Sequence, residues 1–141
     1  MAVQDNMQIA RRLMEEVYMQ GNIGLVDEMI DDDVREHEEF AGEHIGGKEG
    51  IKAAVAAYKK AFPDLSVTIE DEFAEGDRVF LRTHWHGTHQ GEFMGVEPTG
   101  REVDFGSMDE VVIQDGRLKE HWGVTDSLRL LTQLGVISPP G

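Results

Sequence analysis

The dipeptide Asp115-Gly116 constrains this chain more than any other pair of residues. Both residue types tolerate the positive φ of a type I′ turn, so the alternating runs on either side, Glu102 to Ile113 and Leu118 to Asp126, are predicted to fold back as a hairpin. Farther upstream Leu65, Val67 and Ile69 alternate with polar residues, and the pattern resumes at Phe73 before the turn Glu75-Gly76-Asp77. A strand from Arg78 to about His86 follows, and the glycine-rich connection Gly87 to Gly100 joins it to Glu102. Consecutive antiparallel strands therefore occupy the second half of the chain.

The first half reads as helical. Met7, Ala10, Leu13, Met14, Val17 and Tyr18 keep helical spacing behind a cap at Asp5 or Asn6, and Gly21 ends the run. Asn22 can cap a short helix that buries Leu25, Val26, Met29 and Ile30; a short strand around Val34 to Glu38 then carries His37. Ile51, Ala54, Val55 and Tyr58 mark a third helix, closed at Phe62-Pro63 because the residue before proline is biased out of the α region. Leu128, Leu131 and Leu134 mark the last helix, which stops at Gly135. Helices followed by sequential strands indicate an α+β fold with helices laid on one face of a curved, mainly antiparallel sheet. At 141 residues this is one domain, with loose ends at 1–4 and 138–141.

Charge narrows the partners. The chain carries 28 acidic against 13 basic side chains, a formal charge of −15 that repels nucleic-acid phosphates and anionic membranes. Neither partner is expected. Cysteine is absent, which excludes disulfides, thiolate catalysis and cysteine-bound zinc and fits a reducing compartment. The N-terminal residues lack a signal-peptide apolar run, so a soluble cytoplasmic protein is expected.

Chemistry-bearing residues fall on the strands. Alternation counted from Leu118 puts Leu118, Glu120, Trp122, Val124 and Asp126 on the inward face, with Trp122 in the core and Asp126 at the inner rim beside a cavity. Asp126 also stands directly before a helix, where an aspartate serves as N-cap; Ser127 could take that place instead. His84 and His86 share a strand face with Phe80 and Arg82, opposite the more apolar Val79, Leu81, Thr83 and Trp85. Such a pair can reach one substrate, or it belongs to a polar outer face while the face of Val79, Leu81, Thr83 and Trp85 is buried. A metal would need a further ligand such as His37, Asp109 or Asp126, and no metal is expected. Asp109 is the single charge in the row Val103, Phe105, Ser107, Asp109, Val111 and Ile113, a placement that costs energy unless the carboxylate is paired or performs a task. His89 is either a solvated loop histidine or a group at the pocket mouth, and Phe93, Met94 and Val96 either fold over that mouth as an apolar lid or pack under a loop.

The run HWGVTDSLRLLTQLG, with AFPDLSVTIEDEFAEGDRVFLR and GTHQGEFMGVEPTGREVDF upstream, resembles the SnoaL-like polyketide cyclases (ester cyclases) of the nuclear transport factor 2-like superfamily. The resemblance runs from about Met7 to Gly135 and is most specific at Gly87 to Arg101 and His121 to Gly135. It implies that the sheet bends into an open cone whose concave side and helices enclose a pocket. It also implies an intramolecular aldol condensation of a polyketide ester, through an enolate and without metal or organic cofactor. Asp126 matches the motif position of the base, and an imidazole from His84, His86, His89 or His37 would orient it or stabilise the oxyanion. The catalytic set expected is thus Asp126, His84 and His86, with His37, Phe62, His89, Phe93, Met94, Asp109 and Trp122 around an apolar carbonyl compound or ester. The trio His84-Trp85-His86 departs from the smaller or less basic residues expected there, which bears on the substrate. Other readings are an isomerase, dehydratase or hydrolase in the same pocket, or a non-catalytic ligand-binding module. An open sheet also leaves an outer face suited to a homodimer or homotetramer.

Overall fold

A computed structural model of the protein describes residues 3–40, 43–44 and 46–138; of the loose ends expected at 1–4 and 138–141, residues 1–2 and 139–141 lie outside the described residues, while Val3 and Gln4 already belong to the first helix, a correction. The elements in order are α1 (Val3–Arg12), a π-helical stretch (Leu13–Met19), α2 (Gly24–Met29), β1 (Ile30–Glu36), β2 (Glu39–Phe40), β3 (Glu43–His44), α3 (Gly47–Ala61), β4 (Ser66–Glu75), β5 (Arg78–Thr88), β6 (Glu102–Gln114), β7 (Arg117–Thr125) and α4 (Ser127–Gln133). Five strands form one curved sheet in the order β1-β7-β6-β5-β4, antiparallel except where β1 runs parallel to β7. That parallel pair brings Glu36 beside His121. The fold is the expected α+β arrangement of a mainly antiparallel curved sheet with helices.

Asp115 and Gly116 have φ of 53° and 76°, the mirror-image turn that the dipeptide encodes. The helical expectations hold in their cores and shift at their ends. Asp5 and Asn6 lie inside α1 rather than capping it, and Asn6 is buried. Asn22 gives α2 no side-chain cap; Ile23 occupies that position. Leu130 of α4 and its C-cap residue Leu134 are buried one turn apart, while Leu128, expected on the same face, is exposed, a correction.

Two bulges set which side chains look inward. Within the β6–β7 ladder Ile113 pairs with Leu118 but Val112 pairs with Glu120, so β7 carries one extra residue, Lys119. An inserted residue reverses the alternation beyond it. His121, Gly123 and Thr125 consequently face inward, whereas Trp122 and Val124 face out, the reverse of the parity counted from Leu118. In β4 the pairing shifts between Ile69 and Asp71, and Phe73 turns outward and stacks on Phe80 with ring centroids 5.0 Å apart. β5 has no such shift, and Val79, Leu81, Thr83 and Trp85 are buried as their apolar character predicts.

The core lies between the inner sheet face and the helices. Leu13, Met14 and Val17 of the π-helical stretch and Ile51 and Val55 of α3 pack with Val79, Leu81 and Trp85 of β5 and Val103, Phe105 and Val111 of β6. Each such side chain contributes roughly 1.5–3 kcal/mol by leaving water. Helices over the concave side leave a few polar side chains enclosed with this core. No helix among the described residues is long and apolar enough to cross a membrane.

Candidate active site

A hydrogen-bonded chain of charges runs through the enclosed side of the sheet. Asp109 comes from β6 and His121 from β7, where the bulge at Lys119 has turned its ring inward; Glu36 comes from the end of β1. His121 Nε2 lies 2.7 Å from Asp109 Oδ1, and His121 Nδ1 lies 2.8 Å from Glu36 Oε1 and 2.9 Å from Oε2. All three side chains are at most 5% exposed. Burial alone would lower the His121 pKa, but the bonds to Asp109 and Glu36 outweigh it and push the imidazole up to about 10. At neutral pH it is therefore an imidazolium that donates one N–H to each carboxylate. Glu36 Oε1 also accepts the Glu38 backbone N–H at 2.9 Å, and Ser107 Oγ donates to Asp109 Oδ2 at 3.1 Å.

Above this chain lies a narrow cavity lined by Met14, Tyr18, Tyr58, Trp85, Asp109 and Glu38, among others, with about 20 Å³ of free space, room for roughly one water. Tyr18 meets Trp85 edge-on at 5.9 Å, and Tyr58 meets it tilted at 5.3 Å. The Tyr18 hydroxyl has no hydrogen-bond partner among the described residues, and its pKa is raised by burial and by Glu36, Glu38 and Asp109. It therefore stays a donor. Tyr18 sits on the π-helical stretch, a helix form often found at functional sites. Gly123 makes the crowding of carboxylates possible, because a Cβ there would lie 2.7 Å from both Asp109 Oδ1 and Glu38 Oε2. Glu36, Glu38 and His121 offer ligand atoms within 4.8 Å of one another, yet His121 Nδ1 holds its proton toward Glu36 and has no lone pair for an ion.

Several expected site residues lie elsewhere. Asp126 is exposed and accepts the Arg129 N–H at 3.1 Å as the N-cap of α4; with Thr125 the last inward position, it does not reach the cavity. His84 pairs with Asp104 at 3.2 Å on the outer face, and His86 is exposed on that face. Asp126 and His84 do border a trough of about 650 Å³, but it is open to solvent. His37 is exposed, bonds Glu120 at 2.7 Å and stacks on Trp122 at 4.7 Å, so both belong to the outside. His89 is fully buried, and its Nδ1 accepts the Thr99 N–H at 3.1 Å, which pins a loop instead of guarding a mouth. Phe93 is buried against Phe62 at 5.3 Å and Tyr58 at 5.4 Å, one layer behind the cavity wall, while Met94 points to solvent from a tight turn. Of the residues expected at the site, Asp109 alone reaches the cavity. Sequence reasoning missed Glu36, Glu38, His121 and Tyr18; the period counted from buried Val34 would have placed both glutamates inward.

The profile of the SnoaL-like polyketide cyclases matches residues 8–134. This chain belongs to the SnoaL-like polyketide cyclase family. Aklanonic acid methyl ester cyclase DnrD of Streptomyces peucetius is 32% identical over 132 residues, covering 88% of this chain and 87% of its own. Among solved structures, AclR, a hydroxylase candidate from Streptomyces galilaeus, superposes with a TM-score of 0.86 at 28% identity over 99% of this chain and 87% of its own. TsrD from Streptomyces laurentii gives 0.84 at 28% identity, over 97% and 99%. The SnoaL-like chain is thus an enzyme of a cyclase family on the nuclear transport factor 2-like fold.

Proposed function

We propose that this SnoaL-like enzyme closes a ring in a small carbonyl compound through an enolate, with Asp109 as the base in the role the family resemblance gave to Asp126. The observation that carries the reading is the buried Glu36–His121–Asp109 chain, which ends in the cavity beneath Tyr18. A base held by an imidazolium and a serine hydroxyl is fixed in place, and a water-poor site strengthens every charge interaction in it. Tyr18 O–H supplies a free donor for the developing enolate oxygen. Carboxylates outnumber cations around the cavity, so a neutral ester fits where a free acid would be repelled. The present free space does not hold a polycyclic ester; binding must swing lining side chains such as Met14 aside.

Aklanonic acid methyl ester, the compound in the relative's name, is the first substrate to try. Asp109→Asn should lower turnover by about 10²–10⁴-fold while the circular dichroism spectrum is kept. Turnover retained in that variant would remove Asp109 as the base. The enzyme's lack of cysteine suits the cytoplasm, where we place it. A second copy is proposed to cover the outer sheet face, where Phe73, Met108, Val124 and Leu128 are more than half exposed. Arg82 pairs across the ladder with Asp71 beside Glu70, an arrangement of opposite charges that a two-fold can match to itself.

A further inference from the structure

Glu38 faces Asp109 across Gly123, and the two are joined by a second path. Asp109 Oδ2 accepts from Ser107 Oγ at 3.1 Å; Ser107 Oγ lies 3.4 Å from Thr125 Oγ1; and Thr125 Oγ1 donates to Glu38 Oε1 at 3.0 Å. Ser107 and Thr125 are cross-strand partners at the last pair of the β6–β7 ladder, so their hydroxyls are held together by the sheet. A hydroxyl both donates and accepts, which lets a row of them pass a proton along. Glu38 Oε2, the oxygen turned toward Gly123, carries no hydrogen bond among the described residues.

We infer that Glu38 is the proton donor of the ring-closing step, and that the Ser107 and Thr125 hydroxyls return the proton from Asp109 to Glu38. The inference rests on the enolate reading above. In the first step Asp109 takes a proton from the substrate methylene, and the C–H pair moves into the enolate. The enolate carbon then bonds to the acceptor carbonyl carbon, and the carbonyl π pair moves onto oxygen. Glu38 gives that oxygen its proton, leaving a hydroxyl on the product and a carboxylate on the enzyme. Asp109 next donates to Ser107 Oγ, Ser107 to Thr125 Oγ1 and Thr125 to Glu38 Oε1; rotation of the carboxyl group presents the proton to the cavity again. The cycle consumes no co-reactant, as an isomerisation requires.

The environment suits an acid. Burial raises the Glu38 pKa; His121 opposes that, Asp109 adds to it, the Thr125 bond opposes it and Glu36 adds to it, with a net upward shift. Tyr18 from the π-helical stretch and Tyr58 from α3 also face this charge cluster, and their own pKa values are raised by burial and by Glu38. Ring closure should accordingly weaken as pH rises through the Glu38 pKa, a limb missing from Glu38→Gln.

The test separates the two proton transfers. With aklanonic acid methyl ester in D2O, Glu38→Gln should keep deuterium incorporation at the substrate methylene and lose ring closure by about 10²–10⁴-fold. Unchanged closure would overturn the donor assignment. Thr125→Val should complete a first turnover at the wild-type rate and slow in later ones; equal steady-state rates would overturn the relay. Infrared titration of the whole protein gives a readout without substrate. Wild type should show a protonated carboxyl band that titrates above the ordinary glutamate range and is missing from Glu38→Gln; a band titrating in the ordinary range would overturn the inference. Wild-type protein that neither exchanges nor closes the ester would sink the cyclase reading and leave the infrared arm to judge Glu38.

Discussion

Replacing Gly123 by alanine adds a single methyl group at the most crowded point of the cavity floor. Its Cβ would stand 2.7 Å from Asp109 Oδ1, 2.7 Å from Glu38 Oε2 and 2.8 Å from Glu38 Cδ, closer than real Cβ contacts come. Both carboxylates must retreat by several tenths of an ångström. Glu38 can swing toward the cavity, but Asp109 is tied to His121 at 2.7 Å and to Ser107 at 3.1 Å. Forcing a methyl into a packed site costs about 1–3 kcal/mol, and stretching a charge-assisted bond adds a share of its roughly 1.5–3 kcal/mol. We expect Gly123→Ala to lose about 2–4 kcal/mol in urea unfolding, with turnover reduced by about 10²-fold through displacement of the base. Adding Glu38→Ala removes one of the two clashing groups, so the double variant should be more stable than the sum of the singles implies. A Gly123→Ala protein as stable and as active as wild type would refute the described packing of the two carboxylates.

Asp126→Ala should remove the α4 cap and nothing else, lowering stability by about 1 kcal/mol with kcat unchanged; loss of activity without loss of stability would return Asp126 to the catalytic set. His121 has a folded pKa of about 10 against about 6.5 when unfolded, so its contribution is fully present below pH 6.5 and fades as pH rises toward 10. Urea unfolding across that window should fall less steeply for His121→Gln than for wild type; parallel curves would contradict a protonated imidazole. Met108→Glu combined with Val124→Glu should shift the light-scattering mass to a monomer while leaving the circular dichroism spectrum intact; an unchanged mass would exclude pairing through the outer face.

The framework of the fold was readable because its signals are local. Asp115-Gly116 dictates its turn, and Ile51, Ala54, Val55 and Tyr58 dictate a helix face, without reference to the rest of the chain. Site residues depend instead on strand parity, which one inserted residue reverses. Lys119 bears no mark of a bulge, since the extra residue is defined by its partners Val112 and Ile113 on another strand. The count from Leu118 therefore exchanged His121 for Trp122 and carried Asp126 to the wrong side. Asp109 was legible because β6 keeps its alternation from Val103 to Val111, where a lone carboxylate in an apolar row stands out. The inward face of Glu36 follows from the period of Val34, but its pairing with His121 was not legible, because nothing local announces a parallel neighbour 85 residues away.

That long-range pairing has a temporal meaning. Glu36 emerges early in synthesis and His121 near the end, and closing so long a loop is among the slower, entropically dearer events of folding. The strands from Ser66 to Thr125 can zip by short hairpins before β1 docks alongside them. Until it does, His121 has only one of its two counter-charges. The complete chain of charges is thus a late property of the maturing protein, withheld from nascent or partly assembled forms that already possess most of the sheet.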